Sequence, residues 1–525
     1  MKHITIKAFV IMSLMTAVLS GCKKSLEEKY LNPEASTTAS LPGFLTDLIN
    51  NDRVRPSYWN LRTFLLMHSA GYAQTAFLYP SGSRYQQQDG YTNDYWKDFY
   101  SPGVLGIYRA MEVTYNALPE SEKASKRIYL EAAKVVLYDQ AAQMVDNFGD
   151  IPFSEAGSLP ATNTIKPAKF DDQAELYDMF IEGLAESNTF FATATAPADF
   201  SKADILNSGS IDKWRRYANS VRLRLLMRIS TKFESKAQPL VMQMLNDAST
   251  YPLVDGGNTR DYSPLSSDIL LRPLTNFTSS LVDAMFEIDS YFAPDYMLNK
   301  VMNPANDPRI PVLFDKFGTG AGTANFVQNP TYRAMPVTYT GAQADAEFQN
   351  YAIIDSATIW RNTALPGLVV TAPEVNLLKA EALERWGSTS AAETAYETGV
   401  GQSVTFYYYL NSISSGKKET MPSALVIDQF INNSTISYSG SAANKLTLIG
   451  TQKWLHYGFL QAQHAWAEYR RTGVPALTIV PASAADFTLP PNRLLYPSAE
   501  KTNNAANYQE VQAEDKRTTK IFWMP

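Results

Sequence analysis

The chain of 525 residues has a single cysteine, Cys22. A disulfide needs two, so no intramolecular cross-link holds this fold. Histidine is nearly as scarce, with only His3, His68, His456 and His464, which leaves His-based zinc sites and nucleophilic triads little to build on. The HExxH, GxSxG and P-loop patterns are all absent. "FGTGAGTAN" holds Gly318, Gly320 and Gly322 but no third glycine at the dinucleotide spacing, so it reads as a flexible loop. The net charge of -6 lacks the basic excess with which general nucleic-acid binders neutralise phosphates. No apolar run approaches the roughly 20 residues that a spanning helix requires. These absences predict a protein with no cofactor, no metal and no catalytic role.

A glycosidase would escape most of these exclusions, since it needs only two carboxylates. Asp146 and Asp150 in "DNFGDIPF" are the pair on offer. Their spacing has a simpler origin: Gly149 ends a helix, Asp150 occupies the turn, and Pro152 prevents continuation.

What the chain does have is aromatic side chains, 30 Tyr, 25 Phe and 8 Trp, in a composition that is 45% hydrophobic and 19% charged. That balance belongs to a globular protein with a large core. At the N-terminus, Lys2 and Lys7 precede the apolar run Ala8–Leu19, the order of a secretory signal. The run closes in "LSGCKK", which resembles the lipobox of bacterial lipoproteins. The resemblance implies a signal peptide over 1–21, cleavage before Cys22, and acylation of its thiol. Several acyl chains are needed for stable anchoring, because one holds only marginally.

Residues 22–40, polar and small, read as the lipidated N-terminus and a flexible tether. Lys23 stands where Asp favours inner-membrane retention in many bacteria, so the outer membrane is the expected location, with the protein facing the exterior. Glu27 and Glu28 resemble the acidic export signal of Bacteroidetes surface lipoproteins, although a solvated charge pair explains them more simply.

Helical periodicity dominates the remainder, 41–525. In "SIDKWRRYANSVRLRLLMRIS", Trp214, Tyr217, Ala218, Val221, Leu225 and Ile229 form one apolar stripe. The five arginines on this helix suggest internal ion pairing in a scaffold. "TAPEVNLLKAEALERWG" begins with Thr371 and Glu374 in capping-box spacing and stops at Gly387; Ser390 and Glu393 repeat the spacing and predict the start of a second helix. Similar pairings join "RIYLEAAKVVLYDQAAQMVDNFG" to "DDQAELYDMFIEGLAES", and the Trp214 helix to "KAQPLVMQMLNDAS". Helix pairs near 34-residue spacing suggest degenerate tetratricopeptide units. Two regions break the pattern: Gln74–Ser101, and a loop-rich insertion over 251–366. Both offer aromatics on loops, and long irregular segments tend to be functional.

The stretches "NFGDIPF" (147–153), "DKWRRYANSVRLRLLMRIS" (212–230), "DPRIPVLF" (307–314), "APEVNLLKAEALERWG" (372–387), "HAWAEYRRTGVPAL" (464–477) and "LPPNRLLYPSAEKTNNAANY" (489–508) resemble the SusD/RagB family of nutrient-binding outer-membrane lipoproteins, in the family's order. The resemblance implies an all-α fold with four tetratricopeptide-like helix pairs, no catalysis, and a seat over a SusC-type TonB-dependent barrel. It implies binding of an oligosaccharide for delivery to that transporter. A peptide or other nutrient on the same fold, and more remotely an all-helical glycoside hydrolase, are the alternatives.

Relatives often carry a Trp before a helix near the glycan site, and "YTNDYWKDFY" offers one. The expected ligand contacts are therefore Arg84, Tyr91, Asn93, Asp94, Tyr95 and Trp96, with the aromatic rings meeting the C–H face of a sugar and the polar groups its hydroxyls. The competing reading packs Tyr95 and Trp96 under a helix.

Overall fold

The computed structural model describes residues 39–100, 103–274, 281–287, 291–320 and 323–525. Cys22, the expected signal peptide and most of the expected tether lie outside the described residues.

Four antiparallel helix hairpins form the scaffold: Glu120–Phe148 with Gln173–Phe191, Ile211–Ile229 with Glu234–Asn246, Ala372–Trp386 with Thr389–Ile413, and Ala442–Tyr457 with Ala462–Thr472. Successive hairpins touch, the second against both the first and the third, and the third against the fourth. The reasons are local. Glu120 and Glu122 place negative charge in the first turn of the longest helix, and Gly149 ends it at φ 78°. Ser210 caps the Ile211–Ile229 helix by accepting from the Lys213 N–H. The Trp214, Tyr217, Val221 and Leu225 stripe is buried, as are Leu223, Leu226 and Met227 on the second face.

Both capping boxes fail, for two different reasons. Thr371 makes no cap hydrogen bond; its Oγ1 meets His456 Nε2 at 2.7 Å instead, and Glu374 accepts from the Arg224 guanidinium at 2.5 and 3.0 Å. Long-range partners have taken both side chains. In the following helix the cap is Ser388, which accepts from Ala391 N–H, so the helix starts earlier than the Ser390 spacing predicts.

Two of the five arginines on the Ile211–Ile229 helix, Arg224 and Arg228, form buried ion pairs, and Arg216 pairs with exposed Asp212 on the same helix. Arg224 bridges Asp139 (2.9 Å) and Glu374, and Arg228 lies 3.2 Å from Glu468. Around them Arg471 and Lys453 both contact Glu381 and Glu468 at 2.6–2.7 Å. Burial opposes the charge on Glu381, yet Arg471 and Lys453 hold its carboxyl down at about 2. Asp146 is likewise absorbed, accepting from Tyr177 Oη (2.5 Å) and Trp523 Nε1 (2.9 Å). Asp150 accepts from the Gln173 N–H (3.1 Å) in the turn after Gly149.

Strand is confined, among the described residues, to short antiparallel ladders. One matters for the site: Phe314–Asp315 pairs with Ile353–Ile354 and closes the feet of an excursion over 316–352. One main core runs through the helices, and a smaller cluster of Phe77, Phe292, Met335, Ala344 and Tyr351 sits apart from it.

Candidate functional site

That smaller cluster is the floor of a cleft of about 270 Å³, lined by Phe77, Tyr79, Tyr291, Phe292, Met335, Ala344, Asp345 and Phe348. Four other hollows described on the protein hold only about 20 to 40 Å³ each. Pockets for small ligands run from roughly 300 Å³ upward, and of these five hollows among the described residues the aromatic cleft is the one that approaches that size.

Its walls come from both irregular regions. After the short helix Ala70–Tyr72 the chain turns, with Gln74 at φ 51° and its Nε2 donating to the Thr478 carbonyl at 2.8 Å. The segment that leaves is extended, so alternate residues face opposite ways. Phe77 and Tyr79 join the small cluster, while Leu78 packs on the main core.

Opposite them, Tyr291 and Phe292 are tied to the 353 foot. Ile354 N–H donates to the Tyr291 carbonyl at 2.6 Å, and Ala293 N–H to the Ala352 carbonyl at 2.9 Å. Phe292 meets Phe77 edge-on at 5.5 Å, Tyr291 at 4.3 Å and Phe348 at 6.5 Å. Phe77 and Phe292 are buried, and Tyr79, Tyr291 and Phe348 are half-buried at the walls.

The excursion supplies the rest. Asn299 holds the backbone around Met335, donating to the Ala334 carbonyl (2.9 Å) and accepting from its N–H (3.0 Å), and Asp295 accepts from Val337 N–H at 2.9 Å. A capping box of Thr340 and Gln343 then starts the helix Gly341–Glu347. A Cβ on Gly341 would lie 3.1 Å from Tyr79 Oη, so glycine permits the close approach in which Tyr79 Oη donates to Asp345 Oδ1 at 2.8 Å. Tyr339 and Tyr351 both donate to Glu347 Oε2, at 3.0 and 3.2 Å. Burial, then the bond with Tyr339, pushes the Tyr351 phenol up, which keeps it a neutral donor. At the excursion's feet, burial and then the charge of Asp315 push Asp355 up to about 7.

None of the six expected contact residues lines this cleft. Residues 89–100 are a helix rather than a loop, and its inner face carries Thr92, Tyr95, Trp96 and Phe99. Tyr95 is sandwiched, with Phe64 stacked at 3.7 Å and the Arg53 guanidinium 3.9 Å from its centroid. Its hydroxyl accepts from Arg53 Nη2 (2.7 Å) and Asn147 Nδ2 (3.2 Å). Trp96, 6% exposed, packs against Phe148 and Tyr496 at 5.0 and 5.8 Å. Neither offers a face to a sugar, which corrects the expectation for these two.

Tyr91, Asn93 and Asp94 are half-buried on the same helix, and Tyr91 lies under the Arg62 guanidinium at 4.9 Å; none of the three lines the cleft. Arg84 comes nearest, lining the hollow that shares Phe77 and Met335 with it.

The missed residues left only partial signals: the apolar run "AFLYP" at 76–80, the crowded "YFAPDY" at 291–296, and the Thr340/Gln343 cap. His68, His456 and His464 are all buried. Burial holds the first two near 3 and keeps the third well below its usual value.

A family model described as "Starch-binding associating with outer membrane", SusD-like, matches residues 36–497. The chain belongs to this SusD-like family. Membership places it among nutrient-binding proteins associated with the outer membrane. No helix among the described residues is long and apolar enough to cross a membrane. No curated protein matches the chain.

Solved structures share its fold. One named as a chitin-binding protein has TM-score 0.74 at 23% identity, covering 93% of this chain and 100% of its own. A SusD homolog from Bacteroides uniformis has TM-score 0.67 at 22% identity, covering 92% and 98%. A Bacteroidetes SusD-like protein has TM-score 0.70 at 20% identity, covering 93% and 100%.

Proposed function

We propose that this SusD-like protein binds an oligosaccharide in the aromatic cleft and delivers it to a SusC-type TonB-dependent transporter. The observation that carries the reading is the cleft itself: partly exposed rings of Tyr79, Tyr291 and Phe348 over a buried aromatic floor, with Asp345 as a fixed acceptor. Aromatic faces suit the C–H face of a pyranose, and a few placed polar groups set its orientation. The chitin-binding name of one structural neighbour points to the same ligand class.

Anchoring through an acylated Cys22, facing the exterior, would hold the protein and its transporter in one membrane. Tethering raises their effective concentration, so even a modest interface stays engaged.

Electrophoresis through gels containing soluble xylan, starch, glucomannan or glycol chitin tests the binding step. Retardation is expected in at least one gel and is expected to vanish in a Tyr291→Ala/Phe348→Ala variant. Unchanged migration in every gel, or retardation that survives the double substitution, would overturn it. Affinity purification from native outer membranes is expected to recover a TonB-dependent barrel in comparable amount; repeated recovery of the protein alone would remove the delivery step.

A further inference from the structure

The cleft is uneven in charge. Among the described residues that line it, five are aromatic, Met335 and Ala344 are apolar, and the eighth is Asp345; lysine, arginine and histidine are not among these described residues. Asp345 is exposed, but its position is set twice over, by the capped helix it stands on and by the phenol of Tyr79, which donates to Oδ1. The same helix carries a second carboxylate, Glu347, held by Tyr339 and Tyr351.

Two cations stand near the cleft without being among its described lining residues. Arg84 lines the adjoining hollow, with its Nε reaching the Ser81 carbonyl at 3.4 Å, and Arg333 lies over the Tyr351 ring at 4.9 Å.

A carboxylate has only acceptor atoms. Hydroxyls and acetamido N–H groups of a neutral sugar can donate to Asp345 while their ring stacks on the aromatic wall. A ring bearing carboxylate or sulfate cannot donate from that group, and it would set a second negative charge beside Asp345 over apolar walls, where like charges repel more strongly than in water. Discrimination of this kind comes from the repulsive element as much as from the attractive one. Resting on the reading of the cleft as the glycan site, we infer that it selects neutral glycans and rejects uronate- or sulfate-bearing ones, with Asp345 as the residue that sets the preference.

Isothermal titration with neutral hexasaccharides of cellulose, xylan and chitin, and with hexagalacturonate, tests this on the intact folded protein. At least one neutral ligand is expected to bind, with hexagalacturonate about ten-fold weaker or more, equivalent to about 1.4 kcal/mol. Added salt is expected to narrow the gap, because an exposed charge is screened. Asp345→Asn, which keeps an acceptor for Tyr79, is expected to narrow it further, and Asp345→Lys to close or invert it; melting temperatures establish that both variants are folded.

Equal or tighter binding of hexagalacturonate by the wild type would overturn the inference while leaving the glycan reading intact. A gap unchanged in Asp345→Lys would remove Asp345 from the role. Failure of every hexasaccharide to bind would defeat the glycan reading and this inference with it.

Discussion

In the helical scaffold Arg471 lies between Glu381 and Glu468, with Lys453 reaching the same two carboxylates, all of them buried. In the cleft Asp345 stands exposed, and one phenol donates to it. The first arrangement leaves a carboxylate no capacity for a ligand, and the second leaves most of it. The rings differ in the same way. Tyr95 has both faces covered, by Phe64 and Arg53, whereas Tyr79, Tyr291 and Phe348 border open space. Residues of the same type thus pack inside the fold in one region and line a cleft in the other, and how far their faces are covered separates the two.

The contrast breaks first, if it breaks, at the buried charges. Glu381→Ala leaves Arg471 and Lys453 to share Glu468 alone, with one buried positive charge uncompensated, and is expected to cost about 3–5 kcal/mol in urea denaturation. Asp345→Ala is expected to stay within about 0.5 kcal/mol of wild type. Comparable losses for the two would erase the distinction.

Aromatic truncations sharpen it. Trp96→Ala is expected to cost about 3–5 kcal/mol of stability while the folded fraction keeps its ligand affinity. Phe348→Ala is expected to reverse that pattern, losing about 1 kcal/mol or less of stability but about ten-fold or more in affinity. A Trp96→Ala protein that melts normally yet binds no glycan would restore the helix 89–100 as the site.

A pH-dependent effect should follow from the feet of the excursion. Burial and the neighbouring Asp315 raise Asp355 from 3.8 to about 7, so the native state holds a proton that the unfolded chain releases. Its contribution is complete below about 4 and is lost as pH rises to about 7, at no more than about 1.4 kcal/mol per pH unit. The buried histidines act oppositely, since burial keeps them neutral while the unfolded chain protonates them in acid. The difference between wild type and Asp355→Asn isolates the carboxyl: the variant is expected to gain relative stability from pH 5 to 8, and parallel stability profiles would contradict the proton's role.

Smallest of all, Tyr91→Ala, Asn93→Ala and Asp94→Ala are expected to leave affinity unchanged and stability within about 0.5 kcal/mol. A clear loss of affinity in any of them would extend the site to that helix.

Much of the scaffold was legible because helical periodicity is local. The Trp214 stripe, the stop at Gly149 and the break at Gly387 follow from residues within one or two turns. The capping spacing of Thr371 and Glu374 misled because their partners, His456 and Arg224, lie far away in sequence. For the site, the irregular regions were legible but their useful rings were not. The aromatics of "YTNDYWKDFY" drew attention, although Thr92, Tyr95, Trp96 and Phe99 recur at three and four residues and mark a buried helix face. Phe77 and Tyr79 flank the equally apolar Leu78, so no alternating period marks them, and only the fold shows which residues Phe348 and Asp345 meet across the cleft.

The measurement closest to the central claim is a crystal structure of the protein soaked with whichever neutral hexasaccharide binds best. A sugar ring is expected against Tyr79, Tyr291 or Phe348, with a hydroxyl or amide within hydrogen-bonding distance of Asp345. A fully ordered sugar seated instead on Tyr91, Asn93 and Asp94, with the aromatic cleft empty, would contradict it.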